Sequence, residues 1–140
     1  MATLYTTVVS VNGEGRNGGR VRSDDGVLET DLSHPKELGG AGTATNPEQL
    51  FAAGWGACFL GAVRRAAGDR EVKLTSTAID TEISLNKGDD GFSLSAVLNV
   101  QLGGVDKDVA VELADAAHQL CPYSKAIQGN VPVTINVTAV

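Results

Sequence analysis

The chain has 140 residues, a formal net charge of −6, 42% hydrophobic residues and only 4% aromatics. A chain of this size can bury enough surface to fold without a disulfide or metal staple, so residues 1–140 are expected to form a single domain with a core of Val, Leu, Ile and Ala. The acidity argues against a nucleic-acid partner, and no apolar run approaches the ~20 residues needed to span a bilayer. Residues 1–7 lack the basic start and apolar core of a secretory leader, so a soluble, cytoplasmic protein is expected. Two cysteines are too few for a secreted disulfide framework. Cys58, Cys121, His34 and His118 fall at no zinc-ligand spacing, and neither a metal nor a cofactor is expected.

Residues 4–11 put Tyr5, Thr7, Val9 and Val11 on one parity and predict a strand. Residues 12–19, rich in glycine and polar groups, predict a loop. Two short strands follow at 20–23 and 27–32, with Asp24, Asp25 and Gly26 as turn residues between them. Residues 33–45, with His34-Pro35 and the run Gly39-Gly40-Ala41-Gly42, predict a long loop of the kind that tends to be functional.

A helix is predicted to start at Asn46, where Asn is a good N-cap, Pro47 suits the first helical position and Glu48 favours the positive end of the dipole. It is expected to end at Ala67 with Gly68 as the stop. Between Leu50 and Val63 it has no charged side chain, which predicts a helix buried on all faces. Gly54, Gly56 and Gly61 each cost about 1 kcal/mol relative to Ala in a helix, so close packing is expected against them.

Residues 75–86 alternate, with Thr75, Thr77, Ile79, Thr81, Ile83 and Leu85 facing one way. Residues 92–102 alternate again, with Phe92, Leu94, Ala96, Leu98, Val100 and Leu102 inward, which together is the strongest hairpin signal in the chain. Residues 106–120 carry Val109, Leu113, Ala116, Ala117 and Leu120 at helical spacing, and Pro122 ends that helix. A last strand places Val131, Val133, Ile135 and Val137 on one side. The order is β-β-β-α-β-β-α-β, an α+β fold with antiparallel sheets around two helices.

Few residues carry chemistry. Cys58 lies mid-helix; a core hydrophobe is the plain reading, and reactivity would require a nearby cation to lower its pKa. The segment Gly15-Arg16-Asn17-Gly18-Gly19-Arg20 offers two arginines, either of which could serve or simply face solvent. Glu48 could hold such an arginine in place, although ten residues of straight helix separate it from Cys58 by about 15 Å. Cys121 precedes Pro122 at a helix end, which suits an accessible and mobile thiol. Phe51, Trp55, Phe59 and Leu60 could line an apolar channel that favours a substrate with an alkyl or aryl group, worth about 0.8 kcal/mol per buried CH₂.

The stretch Thr45-Asn46-Pro47-Glu48-Gln49-Leu50-Phe51-Ala52-Ala53-Gly54-Trp55-Gly56-Ala57-Cys58-Phe59 resembles the signature of the organic hydroperoxide resistance (Ohr) family within the OsmC/Ohr superfamily. Ala116-Ala117-His118-Gln119-Leu120-Cys121-Pro122-Tyr123-Ser124 is similar to the family's second cysteine segment. Residues 35–40 and 23–28 match as well, so the resemblance spans nearly the whole chain. Two departures stand out: an extra glycine at Gly18-Gly19, which leaves Arg20 as a second candidate arginine, and Trp55 where the family commonly has Tyr.

The resemblance implies an OsmC-like fold, an interwoven homodimer and a thiol peroxidase acting on organic hydroperoxides. It implies Cys58 as the peroxidatic thiol, Cys121 as the resolving thiol, Arg16 as the catalytic arginine and Glu48 as its partner. It further implies recycling of a Cys58–Cys121 disulfide by a dithiol, with lipoyl groups on proteins as the donor. Two alternatives stay open from the residues: a broader peroxidase that also accepts hydrogen peroxide, and a non-enzymatic thiol redox sensor.

Overall fold

A computed structural model describes residues Met1–Val140. The chain divides into two compact units, Met1–Leu50 and Phe51–Val140.

In the first unit three short strands, β1 (Val9–Asn12), β2 (Arg20–Ser23) and β3 (Glu29–Asp31), form an antiparallel sheet in the order β1-β2-β3. The turn between β2 and β3 is built by side chains. Ser23 Oγ donates to Asp25 Oδ1 (2.6 Å), the Leu28 N–H donates to Ser23 Oγ (3.0 Å), and Gly26 takes a φ of 74°. That turn shortens two predicted strands. Residues 27 and 28 belong to it rather than to β3. Because β2 ends at Ser23, opposite Val9, residues 4–8 have no strand to pair with, and Tyr5 is exposed despite its alternating neighbours. Alternation supports a strand only where a partner exists.

The predicted loop at 33–45 contains one 3-10 turn, Lys36–Leu38, and is closed at its base by a bridge between Leu32 and Thr45. Gly40 sits so close to His34 that a Cβ there would lie 2.6 Å from the His34 carbonyl carbon, so only glycine fits.

Helix α1 spans Pro47–Asp69 and is capped as expected: Asn46 Oδ1 accepts from the Gln49 N–H at 2.9 Å. It runs past the predicted end. Gly68 is still helical, one residue before the helix end at Asp69, and the left-handed conformation falls on Glu71 (φ 55°) instead.

In the second unit β4 (Ser76–Gly88) and β5 (Gly91–Gly103) form the predicted hairpin in full register, from Ser76↔Gly103 to Gly88↔Gly91. The expected parity holds from Ala96 to Leu102, with Ala96, Leu98, Val100 and Leu102 buried, but Phe92, expected inward, is 70% exposed, because it lies at the hairpin tip beyond the core. Helix α2 (Lys107–Leu120) starts at an Asp106 cap, whose Oδ1 accepts from the Val109 N–H at 2.9 Å. Strand β6 (Val133–Ala139) pairs with β5 in parallel, Leu98 opposite Ile135, so the expectation of antiparallel pairing throughout is corrected. The reason is the crossover: a chain that leaves one strand and returns through helices re-enters the sheet in the same direction. There are three helices rather than the expected two. Pro122 ends α2 but is itself the first residue of α3, Pro122–Ile127, the position where proline's missing N–H costs nothing.

The core of this unit joins Trp55, Phe59, Val63 and Ala66 of α1 to Leu98, Val100 and Leu102 of β5 and to Leu113 and Ala117 of α2. Each large side chain enclosed there contributes about 1.5–3 kcal/mol. Helix α1 is not buried on all faces: Ala53, Ala57 and Gly61 are exposed, because only one side of the helix meets the sheet. Two of the three glycines do meet close neighbours. A Cβ on Gly56 would lie 2.8 Å from Thr81 Oγ1 and one on Gly54 would lie 3.2 Å from the Tyr123 ring, whereas Gly61 faces open space. No helix is long and apolar enough to cross a membrane.

Candidate active site

Four of the residues singled out from the sequence meet as two pairs, one in each unit. In the first unit Arg16 lies in a 3-10 turn, Gly15–Asn17, between β1 and β2. Its guanidinium reaches Glu48 in the first turn of α1 through two parallel bonds, Nη1 to Oε2 at 2.9 Å and Nη2 to Oε1 at 2.6 Å. This fork-to-fork geometry is the strong form of an ion pair. Glycines shape the turn: a Cβ on Gly19 would lie 2.7 Å from the Gly15 carbonyl oxygen, so the additional glycine noted in the sequence occupies a place no side chain can fill.

The pairing separates the two candidate arginines. Arg20 is held within its own sheet by Asp31 (2.6 Å) and Glu29 (3.0 Å), both exposed. Arg16 alone is paired with Glu48. The Arg16 bond holds the Glu48 carboxyl below its ordinary pKa against the opposing effect of burial, and the nearby His34 adds a smaller pull in the same direction. His34 is brought to the foot of α1 by the Ser33 N–H bond to the Thr45 carbonyl, 2.9 Å. Nothing in the sequence marks that proximity, since it depends on how the 33–45 loop closes.

In the second unit the sulfurs of Cys58 and Cys121 are 3.3 Å apart, as free thiols. That is about 1.3 Å beyond the length of a disulfide bond. Their exposures reverse the expectation. Cys121 is fully buried, whereas Cys58 is only half-buried. The helix end at Cys121 is not free: α3 begins immediately and folds the joint inward, with the Lys125 N–H donating to the Cys121 carbonyl.

The Cys58 thiol is pushed up from its ordinary value, first by burial and then by the neighbouring Cys121 thiol, while the Tyr123 N–H acts in the opposite direction. The Tyr123 amide belongs to the first turn of α3, where N–H groups have no helical partner of their own, and a sequence in which Pro122 reads as a stop gives no sign of it.

The four predicted channel residues divide. Trp55 and Phe59 are fully enclosed core residues and present no wall to a ligand; the indole N–H of Trp55 donates to Ser124 Oγ at 3.0 Å. Phe51 is half-buried, with its ring edge-on to Trp55 at 5.6 Å between centroids. Leu60, also half-buried, borders an open depression of about 360 Å³ together with Ala53, Ala57 and Ile79. Periodicity cannot tell these apart, because a helix without charges gives no sign of which face a sheet will cover. Tyr123, 45% exposed, rests on Gly54 and adds an apolar surface that the sequence does not announce.

A family model described as OsmC-like protein matches residues 40–136. The chain is 44% identical over 136 residues to an organic hydroperoxide resistance protein of Xanthomonas axonopodis pv. citri, covering 96% of this chain and 94% of the relative. It is 43% identical to the organic hydroperoxide resistance protein OhrB of Bacillus subtilis, over 96% of this chain and 98% of that one. Among solved structures, an organic hydroperoxide resistance protein OsmC from Legionella pneumophila superposes with a TM-score of 0.93 at 43% identity, covering 98% of this chain and 99% of that one. The chain belongs to the OsmC-like family and, within it, groups with the organic hydroperoxide resistance proteins.

Proposed function

We propose that this chain is a thiol-dependent peroxidase that reduces organic hydroperoxides to alcohols. The observation that carries the reading is the 3.3 Å separation of two reduced thiols, one half-exposed and one buried. The Cys58 thiolate attacks the distal oxygen of the hydroperoxide, the O–O bond breaks, and the alcohol leaves as Cys58 becomes a sulfenic acid. Arg16, aligned in advance by Glu48, is assigned the task of stabilising the thiolate and the negative charge that develops on oxygen. Its importance follows from the environment of Cys58, since burial alone favours the unreactive thiol. The Cys121 thiolate then attacks the Cys58 sulfur, hydroxide leaves and takes up a proton as water, and a disulfide closes. A dithiol reopens it by exchange; the family resemblance points to lipoyl groups on proteins.

Phe51 and the exposed ring of Tyr123 lie on the helix surface that carries Cys58 and support a preference for alkyl or aryl hydroperoxides. The names of the relatives agree with that preference. We assign the whole chain to one functional domain working as a homodimer in the cytoplasm. The open, charge-free strip Ala53, Ala57 and Gly61 on α1 supports a partner of the same kind. Steady-state kinetics with dihydrolipoamide test the reading. A kcat/KM for cumene hydroperoxide well above that for hydrogen peroxide is expected; equal values would contradict the substrate assignment, and no turnover with any dithiol would contradict the enzyme.

A further inference from the structure

Two side-chain contacts tie helix α1 to the start of α3. Trp55 and Cys58, three residues apart on α1, face Ser124 and Cys121, three residues apart at the start of α3. The first contact is a hydrogen bond of 3.0 Å between a fully buried indole and a hydroxyl that is 1% exposed; the second is the thiol pair. Gly54 lets the Tyr123 ring settle on α1 beside them. The Cys121 side chain makes no other hydrogen bond, and its backbone sits at the joint of two helices. Its place beside Cys58 is therefore set by core packing and by what holds the start of α3 against α1.

We propose that the Trp55–Ser124 hydrogen bond is a positioning device for the resolving step: it docks α3 on α1 so that Cys121 stands next to Cys58 before any oxidation occurs. This rests on the reading of Cys58 and Cys121 as the reacting pair. The chemistry is unchanged by it. The Cys121 sulfur forms a bond to the Cys58 sulfur, the S–O bond of the sulfenic acid breaks, and water carries away the oxygen. What the hydrogen bond supplies is proximity, which raises the rate of an intramolecular reaction without touching the reacting atoms. Neither Trp55 nor Ser124 contacts the peroxide in this scheme.

The test is rapid-quench mass spectrometry of the full-length chain after one equivalent of cumene hydroperoxide, following sulfenic acid and disulfide separately. Ser124→Ala should leave sulfenic acid formation within about twofold and slow disulfide closure about tenfold, the loss expected for one buried hydrogen bond. With excess peroxide the same variant should accumulate sulfinic acid at Cys58. Trp55→Phe should slow closure in the same way, and the double variant should close no more slowly than the worse single one, as expected for two halves of one interaction. Closure at the unmodified rate in a folded Ser124→Ala chain, or strictly additive effects in the double variant, would overturn the proposal. Should Ser124→Ala fold poorly, Trp55→Phe decides the question alone. A second readout is independent of peroxidase activity: at fixed oxidised glutathione, the glutathione concentration that half-reduces the Cys58–Cys121 disulfide should fall about threefold in Ser124→Ala, the square root of a roughly tenfold change in the equilibrium constant, and an unchanged value contradicts the device. If the unmodified chain forms no sulfenic acid, the functional reading fails, while the glutathione measurement still decides this inference.

Discussion

Arg16 and Glu48, 32 residues apart in the chain, meet through two parallel charge-assisted hydrogen bonds of 2.9 and 2.6 Å. The pair is partly buried, so water screens it less than a surface bridge and both side chains are held in one orientation. Only a planar fork satisfies both carboxylate oxygens at once. Arg16→Lys should therefore not substitute for arginine: peroxidase kcat/KM should fall at least tenfold although the charge is kept. Glu48→Gln should lose a similar factor in activity but only about 1 kcal/mol of stability. Parallel kinetics and chemical denaturation check this, and an unchanged kcat/KM in the Arg16→Lys enzyme would show that the fork is dispensable.

The pH dependence of stability has two edges of opposite origin. Glu48 ionises more readily in the folded chain than at its ordinary value of 4.5, so its contribution is complete above that value and is lost as pH falls through the folded pKa. Cys58 holds its proton more tightly than at its ordinary value of 9.0, so its contribution is complete below 9.0 and is lost as pH rises through the folded pKa. Urea titrations across the range should show the acid edge flattened in Glu48→Gln and the alkaline edge flattened in Cys58→Ser. Edges of the same depth in both variants would remove these two groups as the cause.

The two cysteines should fail differently. Cys58→Ser should abolish turnover. Cys121→Ser should consume one equivalent of peroxide and stop, then pass to sulfinic acid as more peroxide is added. Intact-mass measurements after stepwise addition distinguish these outcomes from a variant that turns over normally.

Two glycines of α1 should respond with opposite signs. At Gly56 an added methyl meets Thr81 Oγ1 at 2.8 Å, and Thr81 is a stiff β-branched residue in β4. Gly56→Ala should cost about 1–2 kcal/mol despite the better helix propensity. Gly68 faces open space one residue before the helix end, and Gly68→Ala should gain about 0.4–1 kcal/mol by restricting the unfolded chain. Thermal unfolding of both variants checks the signs.

These glycines also show what is legible in the sequence. The hairpin at β4 and β5, the caps at Asn46 and Asp106 and the α+β order follow from alternation and capping chemistry, which are local. The parallel pairing of β6, the truncation of β1 and the division of α1 into covered and open faces depend on which element lies alongside, and no residue encodes that by itself. At the candidate site the motifs carry Cys58, Cys121, Arg16 and Glu48. Tyr123 and Ser124 lie in the second cysteine motif, but their contacts stay hidden as long as Pro122 reads only as a stop, and a proline that ends one helix can equally begin the next.

The most direct measurement is a mass balance on the reduced chain with one equivalent of cumene hydroperoxide under anaerobic conditions. The account predicts one cumyl alcohol per chain, the loss of both free thiols, and a disulfide between residues 58 and 121 in the peptide map. Alcohol formed with both thiols intact, or thiols unreacted after the peroxide is exposed to the protein, would contradict it.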